Sequence, residues 1–232
     1  MRINVHAGHN PDGKVACGAI GLIKESSEAR NVVSYLSKML EIQGHEVFDC
    51  TINDGINQIN ILEQIVKKCN SKTVDIDISI HFNAGANDYT GDGKTTGVEA
   101  FVYNKKTTAY EYAQKVVNNI SNLGFKNRGI KENKNLYFLN NTKAPAMLIE
   151  CCFVDDKDDV SLYNAESMAK AIAEMFGVVK ETSDERRYST LDELPIWSRS
   201  TIEKLISEGK IADKNNLDLS MDMVRVLVIT NR

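Results

Sequence analysis

Residues 74–84, VDIDISIHFNA, constrain the fold more than any other stretch of this chain. Branched apolar residues at Val74, Ile76, Ile78 and Ile80 alternate with Asp75, Asp77, Ser79 and His81, the period-two pattern of a β-strand. The strand then gives way to NAGANDYTGDGKTTG, a run of turn-forming residues. A strand that ends in a histidine and opens into a long loop suits an open α/β sheet, where chemistry gathers at the carboxyl ends of strands.

The rest of the chain alternates in the same way. Strands are predicted over residues 2–7, 45–50, 97–103, 135–139 and 146–153. A helix is predicted over residues 25–43, where Val32, Val33, Leu36, Met39 and Leu40 fall at helical spacing and Gly44 stops it. Further helices are expected over residues 57–69 (Ile61, Ile65 and Val66 inward), 108–123 (Tyr112, Val116, Val117 and Ile120 inward) and 165–176, closed by Gly177. The expected fold is α/β: a twisted, mostly parallel sheet of about six strands with helices on both faces, plus a small C-terminal helical module.

Composition shifts after Val179. Residues 180–189, KETSDERRYS, are almost wholly polar and read as a linker between a first domain, residues 1–179, and the module, residues 190–232. In the module, Pro195 precedes a helical stretch through Trp197, Ile202, Leu205 and Ile206 to Gly209. Ser220 caps a second through Val224, Leu227 and Val228. About forty residues rarely build an adequate core alone. The module is therefore expected to dock on the first domain, on a copy of itself in a homo-oligomer, or on a partner. Trp197 offers either a sugar-stacking face or a packing residue.

Bulk properties exclude several classes. A net charge of −4 over 232 residues argues against a dedicated nucleic-acid binder. No apolar run reaches membrane-span length. MRINVHAGHN enters a strand with no apolar export segment, so synthesis in the cytoplasm without a classical signal is expected. The five cysteines, Cys17, Cys50, Cys69, Cys151 and Cys152, are odd in number and lack CxxC spacing. They suggest neither a disulfide framework nor a cysteine zinc knuckle.

Metal-type side chains sit at the matching strand ends. The first strand ends in HAGH, with His6 and His9; the third ends at His81; the last carries Glu150; the first helix opens with Glu25 and Glu28. Two histidines and one carboxylate with an open position make a catalytic zinc set, in which water reaches a pKa of about 7 and a carbonyl is polarised. Glu150, on the apolar run APAMLIECCF, is placed to move a proton. Each group also has a structural reading: a hydrogen-bonded histidine, helix-dipole glutamates, a core carboxylate. From the residues alone, a metallohydrolase and a non-catalytic α/β domain both stand.

In order, the motifs are Ala7-Gly8-His9, a glutamate opening the helix before Gly44-His45, Ser79-Ile80-His81-Phe82-Asn83-Ala84, and Pro145 to Glu150 followed by Phe153 and Asp155. With them the chain resembles the type 3 zinc-dependent N-acetylmuramoyl-L-alanine amidases of bacterial autolysins and phage endolysins, from about residue 2 to residue 177. The resemblance implies one zinc ion held by His9, Glu25 and His81, with Glu25 preferred to Glu28 and His9 to His6, and Glu150 as the catalytic carboxylate. It implies a peptidoglycan substrate, hydrolysed between the lactyl group of N-acetylmuramic acid and L-alanine, in an endolysin released through a membrane hole formed by a holin. Residues 85–97 and 125–130 (FKNRGI) are expected to border the groove, with Asn83 and Arg128 meeting substrate. Two departures are visible: Asn10-Pro11-Asp12 replaces an extended GHGG signature, and Cys151 or Cys152 replaces a glycine after the catalytic glutamate. A host autolysin or sporulation amidase, a wall-binding domain without activity, and a zinc carboxypeptidase or deacetylase are the rival readings.

Overall fold

The computed structural model describes residues 1–179, 187–211 and 217–220, with the short pieces 223–224 and 227–228. The chain divides into two compact units, Met1–Val179 and Lys180–Arg232.

The first unit is built on strands β1 (Arg2–Ala7), β2 (Glu46–Asp49), β3 (Ile76–Asn83), β4 (Val98–Val102), β5 (Asn127–Glu132) and β6 (Ala146–Phe153). They form one six-stranded sheet in the order β2-β1-β3-β6-β4-β5. All neighbours are parallel except β4 and β6. Helices α1 (Glu25–Ile42), α3 (Ala109–Ser121) and α6 (Ala165–Ala173) cover one face, over Ile76, Ile78, Ile80, Met147 and Ile149. Fully buried Leu36 and Leu40 of α1 each contribute about 1.5–3 kcal/mol relative to exposure. Helices α2 (Gln58–Asn70) and α4 (Tyr137–Asn141) cover the other face, through Ile61, Ile65, Phe138 and Leu139. A short α5 (Lys157–Leu162) follows β6, capped by the Asp156 side chain.

Alternation in β3 sends its isoleucines to the first face and Asp77, Ser79 and His81 to the second. That second face is polar in its interior. Buried Asn4 donates to Asp77 at 2.6 Å and to the Cys69 carbonyl at 3.1 Å.

One predicted strand is overturned. Residues 135–139 form no strand; Tyr137–Asn141 is a helix, and the sixth strand is β5, with the sequence NRGIKE. β5 lies at the sheet edge with no residue fully buried, so it needs little apolar patterning and has none. The Leu136–Leu139 run packs Phe138 and Leu139 against the sheet as a helical turn instead.

In the second unit, α7 (Ile196–Ser207) and a two-residue strand pairing, Arg187 with Ser220 and Tyr188 with Leu219, surround an apolar cluster. Tyr188, Leu194, Ile202, Leu205, Leu217, Leu219 and Val224 form it. Most of the linker, the Trp197 side chain and most of the helix expected after Ser220 lie outside the described residues. Among the described residues, no helix is long and apolar enough to cross a membrane.

Candidate active site

The site is assembled at one end of the sheet. β1 delivers the Ala7-Gly8-His9 turn, α1 begins at Glu25, and β3 ends with His81. His81 Nδ1 lies 3.0 Å and His9 Nε2 3.3 Å from the same oxygen, Glu25 Oε1. That oxygen also accepts from the Phe82 amide at 3.2 Å, and Glu25 Oε2 accepts from the Ala19 amide at 2.7 Å. Burial would raise the Glu25 carboxyl, but hydrogen bonds from His81 and His9 outweigh it and hold the group well below the ordinary carboxylate range.

Two glycines make this packing sterically accessible. A Cβ on Gly8 would fall 1.9 Å from His81 Cε1 and Nε2. One on Gly18, whose φ is +81°, would fall 2.4 Å from Glu25 Oε2 and 2.8 Å from His9 Cδ2. Gly8→Ala is therefore expected to displace the His81 ring and lower metal affinity by about 10–100-fold, as read by competition with a chromophoric chelator. Unchanged affinity would remove Gly8 from this role. Arg30 braces the turn from α1, donating to the His9 carbonyl at 2.7 Å and the Ile52 carbonyl at 3.0 Å.

The donor set fits a metal ion. Single ligand atoms of His9, Glu25 and His81 all lie within 4.8 Å of one another. Ligands about 2.0–2.1 Å from a tetrahedral ion lie about 3.4 Å apart, close to the two separations to Glu25. Glu28 points elsewhere, accepting from Tyr163 Oη at 3.0 Å. His6 does not join the set. Its buried ring stands edge-on to Phe138, and burial, followed by the charge of His81, pulls its pKa down to about 3, leaving it neutral.

Glu150 lies beside the set, paired in register with His81 of β3. Its Oε2 is buried and has no hydrogen-bond partner. Burial, and then the charges of Glu25 and Glu99, push its carboxyl up to about 8. Just beyond it, β3 advances one residue (Phe82) between its pairings while β6 advances two, Cys151 and Cys152. This bulge turns both consecutive cysteines into the same apolar core, which explains their place where a glycine was expected. A cavity of about 230 Å³ opens next to the set, lined by His81, Glu150, His6 and the apolar side chains of Ile61, Leu136 and Phe138.

Residues 3–177 match the family model described as N-acetylmuramoyl-L-alanine amidase. The chain belongs to this family. It is 38% identical over 179 residues to an uncharacterized protein of Clostridium perfringens, covering 75% of this chain and 51% of that one. It is 29% identical over 173 residues to an endolysin of Bacillus phage SPP1, covering 72% and 60%. Among solved structures it is similar to the catalytic domain of the CD27L endolysin targeting Clostridia Difficile, with a TM-score of 0.68 and 28% identity. That match covers 78% of this chain and 99% of that one. The chain spans about half to three-fifths of the length of the curated relatives it matches.

In this amidase domain Asn83 and Arg128 both turn to Glu99, a residue that the sequence did not single out. Asn83 Nδ2 donates to Glu99 Oε1 at 3.0 Å, while Arg128 Nε and Lys131 Nζ donate to Oε2 at 2.7 and 2.6 Å. The loop over residues 85–97 is fixed by aspartates that follow β6. Asp155 accepts from the amides of Gly85, Ala86 and Asn87, Asp158 from those of Asp92, Gly93 and Lys94, and Asp159 from that of Gly97. Asp88, Asp156 and Asp158 also cluster within 4.8 Å, but these carboxylates already accept from loop and helix-terminal backbone amides. Gly18, Arg30, Asp156, Asp158 and Asp159 stand in none of the motifs; Asp155, which follows Phe153 in the last of them, was the one visible signal.

Proposed function

We propose that this chain hydrolyses peptidoglycan, cleaving the amide between the lactyl group of N-acetylmuramic acid and L-alanine, and that it is a phage or prophage endolysin. The observation that supports this reading is the convergence of His9, Glu25 and His81 beside a buried carboxyl, Glu150, whose Oε2 has no hydrogen-bond partner. His9, Glu25 and His81 would hold one zinc ion. When bound, zinc supplies a Lewis acid for the scissile carbonyl and lowers the pKa of water toward 7.

Glu150 takes a proton from the attacking water as oxygen adds to the carbonyl carbon, then delivers it to the amide nitrogen as the C–N bond breaks. The products are a lactyl carboxylate and a stem peptide with a free L-alanine amine. Asn83 and Arg128 border the path of the peptide. On the same reading the chain is made in the cytoplasm and reaches the wall through a holin; its similarity to two proteins described as endolysins supports the endolysin role. For the second unit we propose wall attachment or self-association, which wall-pelleting and sedimentation of the full chain separate.

Mass analysis of purified wall digested by the zinc-loaded protein tests the reaction. Intact stem peptides beginning with L-alanine are expected. New reducing sugar ends, or release of D-alanine alone, would replace the amidase reading with a glycosidase or carboxypeptidase.

A further inference from the structure

Across one sheet face, the parallel β3–β6 register places His81 beside Glu150, and the antiparallel β6–β4 register places Glu150 opposite Glu99. Opposed residues in an antiparallel pair share a face. Arg128 and Lys131 reach in from β5 to this row. Glu99 is buried, with 3% of its side chain exposed, whereas Arg128 and Lys131 are 30% and 44% exposed. Two cations thus share one buried carboxylate, leaving an excess positive charge at the surface. Arg128 donates through Nε and its guanidinium carbon lies 4.9 Å from the Phe153 ring centre. No hydrogen bond to protein is made by its terminal Nη1 and Nη2 among the described residues.

Adjacent strands are about 4.8 Å apart, so the cationic heads, drawn in to Glu99, sit about one strand spacing from Glu150. An extended peptide advances about 3.3–3.6 Å per residue. An anion bound by the two cations would therefore belong to the residue after the L-alanine whose amide is cut. Guanidinium and ammonium groups with unspent donors take a carboxylate by charge-assisted hydrogen bonds.

We propose that Arg128 and Lys131, seated on Glu99, form an anion subsite that selects stem peptides with a free carboxylate on their second residue. Glu99 acts as a positioning residue. The inference rests on the amidase reading.

The test uses the zinc-loaded full chain and two soluble muramyl-peptides. One is muramyl-L-alanyl-γ-D-glutamate with its α-carboxylate free; the other is the corresponding α-amide. One charge-assisted contact corresponds to about tenfold. The wild-type kcat/KM is expected to favour the carboxylate by about tenfold or more, through KM. Arg128→Gln and Lys131→Gln should each shrink that ratio toward one, with Arg128→Lys restoring part of it; each also lowers the melting temperature, because buried Glu99 loses a charge-assisted partner. A purely structural ion cluster would shift the melting temperature and leave the ratio alone. Equal cleavage of both substrates by the wild type, or a ratio untouched in both variants, overturns the subsite and leaves the amidase reading standing. Cleavage of either substrate at another bond overturns the amidase reading and the subsite with it.

Discussion

Glu150→Ala is expected to retain zinc and lose wall hydrolysis by about 10²–10⁴-fold, the usual contribution of a positioned acid–base group. Glu150 is paired with His81 across the β3–β6 register, yet its Oε2 has no partner and it is not one of the clustered donors. Removing it leaves the three clustered donors in place and takes away the proposed proton carrier. Metal content per chain and turnover on purified wall, measured on the same sample, separate the two effects. Lysis near the wild-type rate would reassign the proton carrier.

A pH series on Glu150→Gln adds an independent check. In the chelated protein, burial and the charges of Glu25 and Glu99 raise the Glu150 carboxyl to about 8. A group raised on folding contributes stability that is full below its ordinary pKa and lost as pH rises through the folded value. The chelated wild type should therefore lose stability relative to Glu150→Gln between about pH 5 and pH 8, with the two converging in acid. Titrations of groups that do not interact with Glu150 are common to both proteins and cancel. Parallel thermal melting curves across that range would contradict the buried, unpartnered carboxyl.

His81→Ala is expected to lose both metal and activity. The substitution removes one of three donors and leaves Glu25, with 5% of its side chain exposed, lacking its 3.0 Å contact. A buried carboxylate that loses a charge-assisted hydrogen bond costs about 1.5–3 kcal/mol, so the metal-free variant should also melt below the metal-free wild type. Chelation of the wild type should abolish activity, and returning zinc should restore it. Metal analysis, thermal melting and wall turnover read the three consequences. A purified active protein without a bound transition metal would refute the metal assignment, and so would undiminished metal in His81→Ala.

Several parts of this chain were legible because local rules and tertiary demands coincide. The isoleucine alternation that ends at His81 marks a strand with one apolar face, and five of the six strands were placed by their own apolar residues. Asn127–Glu132 was invisible because an edge strand with little burial needs no apolar face. Phe138 and Leu139 misled because two adjacent apolar residues suit a helical turn as well as a strand. The histidines and acidic residues could be found by their position at element ends. Glu99 and Lys131 could not, because their part depends on which strand lies next to β6, and that order is not sequential.

The sequence by itself determined the α/β class, the strand that carries His81 and the apolar setting of Glu150, since these follow from side-chain periodicity within single elements. The tertiary structure alone decided that Glu25 meets both histidines while Glu28 meets Tyr163, that Gly8 and Gly18 must lack a side chain, and that two cations gather on Glu99. These contacts join segments far apart in the chain. Their distances are fixed by how the sheet orders its strands and packs its helices, which no local pattern encodes.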